Sequence, residues 1–253
     1  MSDSPALNTC HDLHRFELSD MIQVGTALRR LQSDSSSMEE TASAIVRFLY
    51  NRFADPQTGE KNCALVRFFK TQCFQDLPSD LQDIATAAAH GKSDVHPHTR
   101  CLTLLATAGN QPQWNSRTES AGHQAIPLAK EEVVRQAPMV AQLIQQIGLD
   151  IAQVIGPSPA LMIDADQQNY NVFHVPDALG SPYVPAQDFV REAGVRSVLG
   201  FGGLLPSGDL FAVILFSRVY IPRETAEMFR TLALGIKLAV LPFARGPVFP
   251  EAV

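Results

Sequence analysis

Clustered basic residues are scarce in this sequence, and the longest local run is the pair Arg29-Arg30. With a formal net charge of -6 and a pI near 5.6, no Lys/Arg face is available to grip phosphates, which excludes a nucleic-acid surface. Long apolar runs are missing as well. The most apolar stretch, Ala226 to Val240, is interrupted by Arg230 and Lys237, and none reaches the roughly 18 residues that a membrane span needs. The opening residues Met1 to Cys10 lack both a basic start and an apolar core, so no secretory signal is expected and the cytoplasm is the expected compartment. Cysteine is limited to Cys10, Cys63, Cys73 and Cys101, and without export reduced thiols are expected rather than a disulfide frame. The sequence has no internal repeat, no low-complexity block, no Ser/His/Asp order and no HExxH.

What is present is a chain of 253 residues, 45% hydrophobic and 18% charged, enough to bury one core without staples. Residues 1–16 are expected as a polar tail, 17–243 as one domain and 244–253 as a second tail. Leu18, Ile22, Gly25, Leu28 and Leu31 recur at helical spacing. Ser36 with Glu39 suits a capping box for a second helix, with Ala42, Ile45, Val46, Leu49 and Phe53 on one face. The first strand runs from Cys63 to Phe69 and the second from Cys101 to Ala108, with a helix from Pro78 to Ala89 between them. Two helical segments should meet at Pro138. Short strands are expected at 160–163 and at Val172 to Val175. Val195 to Leu205 and Leu210 to Ser217 are apolar runs joined by Pro206-Ser207-Gly208-Asp209, which is hairpin chemistry. A last helix spans Pro222 to Leu241. The order predicts an α+β fold, an antiparallel sheet covered by helices, with the N- and C-terminal helices packed together. Hairpin strands so continuously apolar imply that both faces of the sheet are covered.

Three parts of the sequence resemble a GAF domain. They are the helix pair leading into Cys63-Ala64-Leu65-Val66-Arg67-Phe68-Phe69, the hairpin from Ser197-Val198-Leu199-Gly200-Phe201 to Phe216, and the exit Ile221-Pro222-Arg223-Glu224 into an apolar helix. The resemblance implies a six-stranded-type antiparallel sheet, helices on one face and a pocket on the other, over Leu18 to Leu241. It also implies a sensory module of bacterial signalling proteins that pairs as a homodimer. The insert from Gly109 to Asn171 is longer than a compact GAF domain holds, and the sequence carries no kinase, cyclase or phosphatase signature. Such a sensor is expected to act through a partner protein or its own dimer, or to be a piece of a longer protein.

Several constellations invite chemistry. Gly200-Phe201-Gly202-Gly203 sits inside a strand, where glycines serve close packing or a bulge rather than a phosphate loop. His96, His98 and Cys101, with His90 nearby, fall short of a closed metal site because Pro97 separates the histidines and no second cluster follows. Cys63, Cys73 and Cys101 raise the alternative of a cysteine-based reductase like the free methionine sulfoxide reductases of GAF type. Cys63, however, opens a buried strand, where a thiol behaves as a small hydrophobe. Asp164 and Asp166 would share a strand face, with nothing gathered around them. His174, between Phe173 and Val175, suits either a pocket wall or a core histidine bonded to a carbonyl. Arg67 either reaches an anionic ligand or pairs with an acid. The expected binding residues are Arg67, Phe68, Phe173, His174, Tyr183 and Phe201, with no catalytic residue, no metal and no identified cofactor. A non-catalytic module binding a small ligand or a partner is the leading function, beside the reductase and a purely structural dimerisation domain.

Overall fold

The computed structural model describes residues 9–31, 35–89, 95–156 and 171–250. His90, the Asp164/Asp166 pair and the strand expected at 160–163 lie outside them.

The sheet is organised by β1 (Cys63–Cys73), which is buried along nearly its whole length. It pairs antiparallel with β2 (Arg100–Gly109) on one side and β6 (Leu210–Ser217) on the other. With β3 (Ala125–Pro127), β4 (Phe173–Val175) and β5 (Ser197–Leu204), the order is β3-β2-β1-β6-β5-β4. Every neighbouring pair is antiparallel. β5 and β6 form the expected hairpin, in which Gly208 at φ 78 supplies the left-handed turn position. Alternation along the strands separates two cores. Val66, Phe68, Leu199, Phe201, Phe211 and Val213 belong to one, while Leu65, Phe69, Val198, Leu210, Ile214 and Phe216 belong to the other.

Three helices cover the first face: α1 (Leu18–Leu28), α2 (Met38–Arg52) and α8 (Arg223–Val240). The α2 cap sits one residue later than expected. Ser37 accepts from the Glu40 backbone N–H, and the Ser36 N–H instead donates to the Glu40 carboxylate. Pro222 precedes α8 with φ -61, already close to helical. The α8 ring of Phe229 meets Phe16, Phe53 and Phe201 at centroid distances of 5.5, 5.7 and 5.0 Å. Burying each such ring contributes roughly 2–3 kcal/mol. α1 lies against α8 as expected, but its apolar stripe divides: Val24, Gly25 and Leu28 are buried, whereas Leu18 and Ile22 are 62% and 57% exposed.

Both expected tails are shorter than the sequence suggests. His11 bridges to Phe53, and Leu13 and Phe16 are buried in the helix-face core. At the other end the Pro247 and Val248 carbonyls accept from the Met38 and Glu39 N–H groups, at 3.1 and 2.9 Å. The C-terminal segment thus satisfies donors that the first turn of α2 leaves open.

The second face carries shorter elements: α4 (Glu131–Arg135), α5 (Pro138–Ile147), α6 (Ile151–Ile155) and α7 (Gln187–Glu192), while α3 (Ser79–Ala88) lies beside β3. Pro138 opens α5, as its missing N–H permits. The helices are therefore not confined to one face.

The glycines of β5 serve close packing. A Cβ on Gly202 would lie 2.0 Å from the Phe211 carbonyl oxygen and 2.9 Å from Ala212 Cα, both backbone atoms of the paired strand. Gly202→Ala is expected to lower stability in urea denaturation by about 3 kcal/mol or more. Gly235→Ala, whose Cβ would meet nothing nearer than 3.5 Å, should stay within about 1 kcal/mol of wild type.

Candidate ligand site

On the second face the sheet is not fully covered. A cavity of about 860 Å³ opens over β1 and β6, floored by Leu65, Arg67, Phe69, Ile214 and Phe216. Met139 and Leu143 of α5 form one wall, and Trp114 and Phe189 another. Trp114 is placed by its own turn. The Asn115 side chain accepts from the Gly109 N–H at 3.1 Å and donates to its carbonyl at 3.0 Å. The indole then lies so close over Gly109 that a Cβ there would sit 2.8 Å from Trp114 Cε3. Edge-to-face contacts run from Trp114 to Phe189 and from Phe189 to Phe216, at 5.5 and 5.2 Å.

Arg67 is the charged group of this floor. Period-two alternation turns it to the same side as Leu65 and Phe69, where it is only 9% exposed. Its Nη2 donates to Ser120 Oγ at 2.8 Å and to the Ala121 carbonyl at 3.4 Å. Its Nε is buried with no acceptor, and so is the Oγ1 of Thr107, the residue facing Arg67 across the β1–β2 ladder. Burial lowers the Arg67 pKa to about 10. The rim beside it is the segment Ala121 to Gln124, where Gly122 at φ 74 is followed by His123 at φ 57, an uncommon conformation for a residue with a Cβ. Desolvation first, and the Arg67 charge second, push the His123 pKa down.

Three other largely buried cations, Lys70, Arg100 and Arg117, meet carboxylates. Asp209, on the hairpin turn, accepts from Lys70 Nζ at 2.8 Å, from Arg100 and from Ser207 Oγ. Arg117 spans Glu39 and Asp80 at 3.0 and 3.3 Å. Arg67 has no carboxylate partner among the described residues.

Of the six residues expected to line a pocket, the structure places Arg67 in this one. Phe68 stacks on Phe211 at 6.1 Å and Phe201 packs on Phe229, both in the helix-face core. Phe173 is fully buried in the second core. The His174 ring nitrogen Nε2 lies 3.0 Å from the Ile221 carbonyl, the satisfied core arrangement, and its pKa is pushed down chiefly by desolvation. Tyr183 is 39% exposed, and it is the next residue, Val184, that reaches the cavity. The expected aromatic pocket is thus not assembled. Trp114, Ser120 and His123 enter the site unanticipated, and all three come from the long insert.

Burial pushes the Cys63 and Cys101 thiols up to about 12, far from the thiolate a nucleophile needs. Among the described residues no three His, Cys, Asp or Glu side chains gather closely enough to hold a metal. Nor is any described helix long and apolar enough to cross a membrane.

No protein-family model and no curated protein matches the sequence. Among solved structures the chain is similar to the GAF domain from a phosphoenolpyruvate-protein phosphotransferase of Coxiella burnetii. That likeness is at 13% identity and a TM-score of 0.44, over 94% of this chain and 95% of that one. The fold is α+β: six antiparallel strands, terminal helices packed together on one face, and a cavity on the other.

Proposed function

We propose that the chain is a non-catalytic binding module of a regulatory kind, in which a small molecule occupies the cavity between the sheet and α5. The observation that carries this reading is the cavity itself, about 860 Å³ with apolar walls and few polar groups, in a chain whose other sheet face is filled. Folded interiors are close-packed, and an opening of this size and lining is what small-molecule sites have in common. The thiol alternative is weakened by the burial of Cys63 and Cys101.

Transmission follows from the strands. The residues that floor the cavity, Leu65 and Ile214, alternate with Val66 and Val213, which pack in the core of α2 and α8. A shift of the floor on binding therefore reaches the terminal helices directly. Those helices expose Leu18 and Ile22 of α1 and Leu234 of α8, apolar surface that suits a second copy of the chain.

Native mass spectrometry of the purified protein, compared with the denatured chain, tests occupancy. A bound small molecule is expected in wild type and absent from Met139→Trp, which fills the cavity wall while leaving the circular dichroism unchanged. A ligand retained equally by Met139→Trp would count against this cavity. In sedimentation equilibrium wild type is expected as a dimer and Ile22→Glu as a monomer; a wild-type monomer would remove the second copy from the account.

A further inference from the structure

Arg67 is a costly residue to keep where it is. An unpaired charge in a low-dielectric site is strongly destabilising, and the fold supplies carboxylates to Lys70, Arg100 and Arg117 but none, among the described residues, to Arg67. Two polar atoms remain unsatisfied at this spot, Arg67 Nε and Thr107 Oγ1, and the ladder sets their side chains on one side of the sheet. The Nη2 nitrogen of the guanidinium is already engaged by Ser120 and Ala121. The Nε–H is left as a donor that an acceptor entering the cavity would take.

We infer that the cavity takes a small organic monoanion, a carboxylate on an apolar body, with the carboxylate on Arg67 and the body against Trp114, Phe189 and Phe216. This rests on the cavity being a binding site. The charge is matched one to one, and a carboxylate oxygen can accept the Nε–H in a charge-assisted hydrogen bond. A dianion such as a phosphate monoester would leave one charge uncompensated, because the other basic group among the described cavity residues, His123, is biased towards its neutral form. The walls offer the rest of the ligand aromatic and aliphatic contact and little else.

The chain's single tryptophan is Trp114, so its emission reports on this cavity and on no other. Wild type would be titrated with phenylacetate, cyclohexylacetate and octanoate, each beside its neutral amide. At least one acid is expected to saturate the change and to bind about tenfold or more tightly than its amide, the scale of one charge-assisted pair. Arg67→Met should erase that preference and leave the amide's affinity within about threefold, while Arg67→Lys keeps the charge without the fork and should retain part of it. Equal binding of acid and amide by wild type would overturn the carboxylate assignment and leave the cavity standing. No saturable change with any of the six compounds would remove the cavity and the assignment together. An acid preference that persists in folded Arg67→Met would show that another group holds the anion. Should Arg67→Met fail to fold, the wild-type ratio and Arg67→Lys still decide.

Discussion

The pairing of β1 with β6 is the constraint on which the rest of this molecule depends. It joins residues far apart in sequence, from Cys63 opposite Ser217 to Lys70 opposite Phe211. By fixing the register it decides which face each side chain serves. Val66 and Phe68, with Phe211 and Val213, go to the helices. Leu65, Arg67 and Phe69, with Ile214 and Phe216, go to the cavity. A slip of one residue would send Arg67 into the aromatic core around Phe229 and turn Phe68 towards the cavity. The alternative registers are thus strongly disfavoured by the burial of a charge as well as by lost packing.

The same strand carries two buried cations handled in opposite ways. Lys70 meets Asp209, which also binds Arg100 and Ser207, so the hairpin turn is tied to β1 and β2 by an ion-paired cluster. Arg67, three residues earlier, is held by a hydroxyl and a carbonyl alone. A fold that satisfies one cation and leaves the other short of partners gives up stability at the second, and such local exceptions concentrate where a protein binds something.

Most of the scaffold was legible in the sequence because its signals are long. β1, the hairpin and α8 each present a sustained apolar pattern. β3, α6 and α7 span three, five and six residues and carry no periodicity that a window of sequence can register. The aromatic pocket was misplaced for a simpler reason. Arg67 and Phe68 are neighbours on one strand, and period two alone forbids them a common face. The α1 stripe misled because helical spacing marks an apolar face without saying what covers it: Val24 and Leu28 found α8, while Leu18 and Ile22 face solvent. The long insert, which looked like a departure from a compact domain, turns out to build the cavity wall through Trp114, Ser120, His123 and α5. Its contribution is tertiary and depends on the Asn115–Gly109 clamp, a contact that short-range patterns do not reveal.

Arg67 is the anion anchor of the proposed ligand cavity, and a crystal structure of the wild-type protein soaked with the tightest-binding of the three acids tests this most directly. The account predicts density for the acid between Trp114 and Phe216, with its carboxylate within hydrogen-bond distance of Arg67. A guanidinium instead paired with a carboxylate of the chain itself, over a cavity filled by its own side chains, would contradict it.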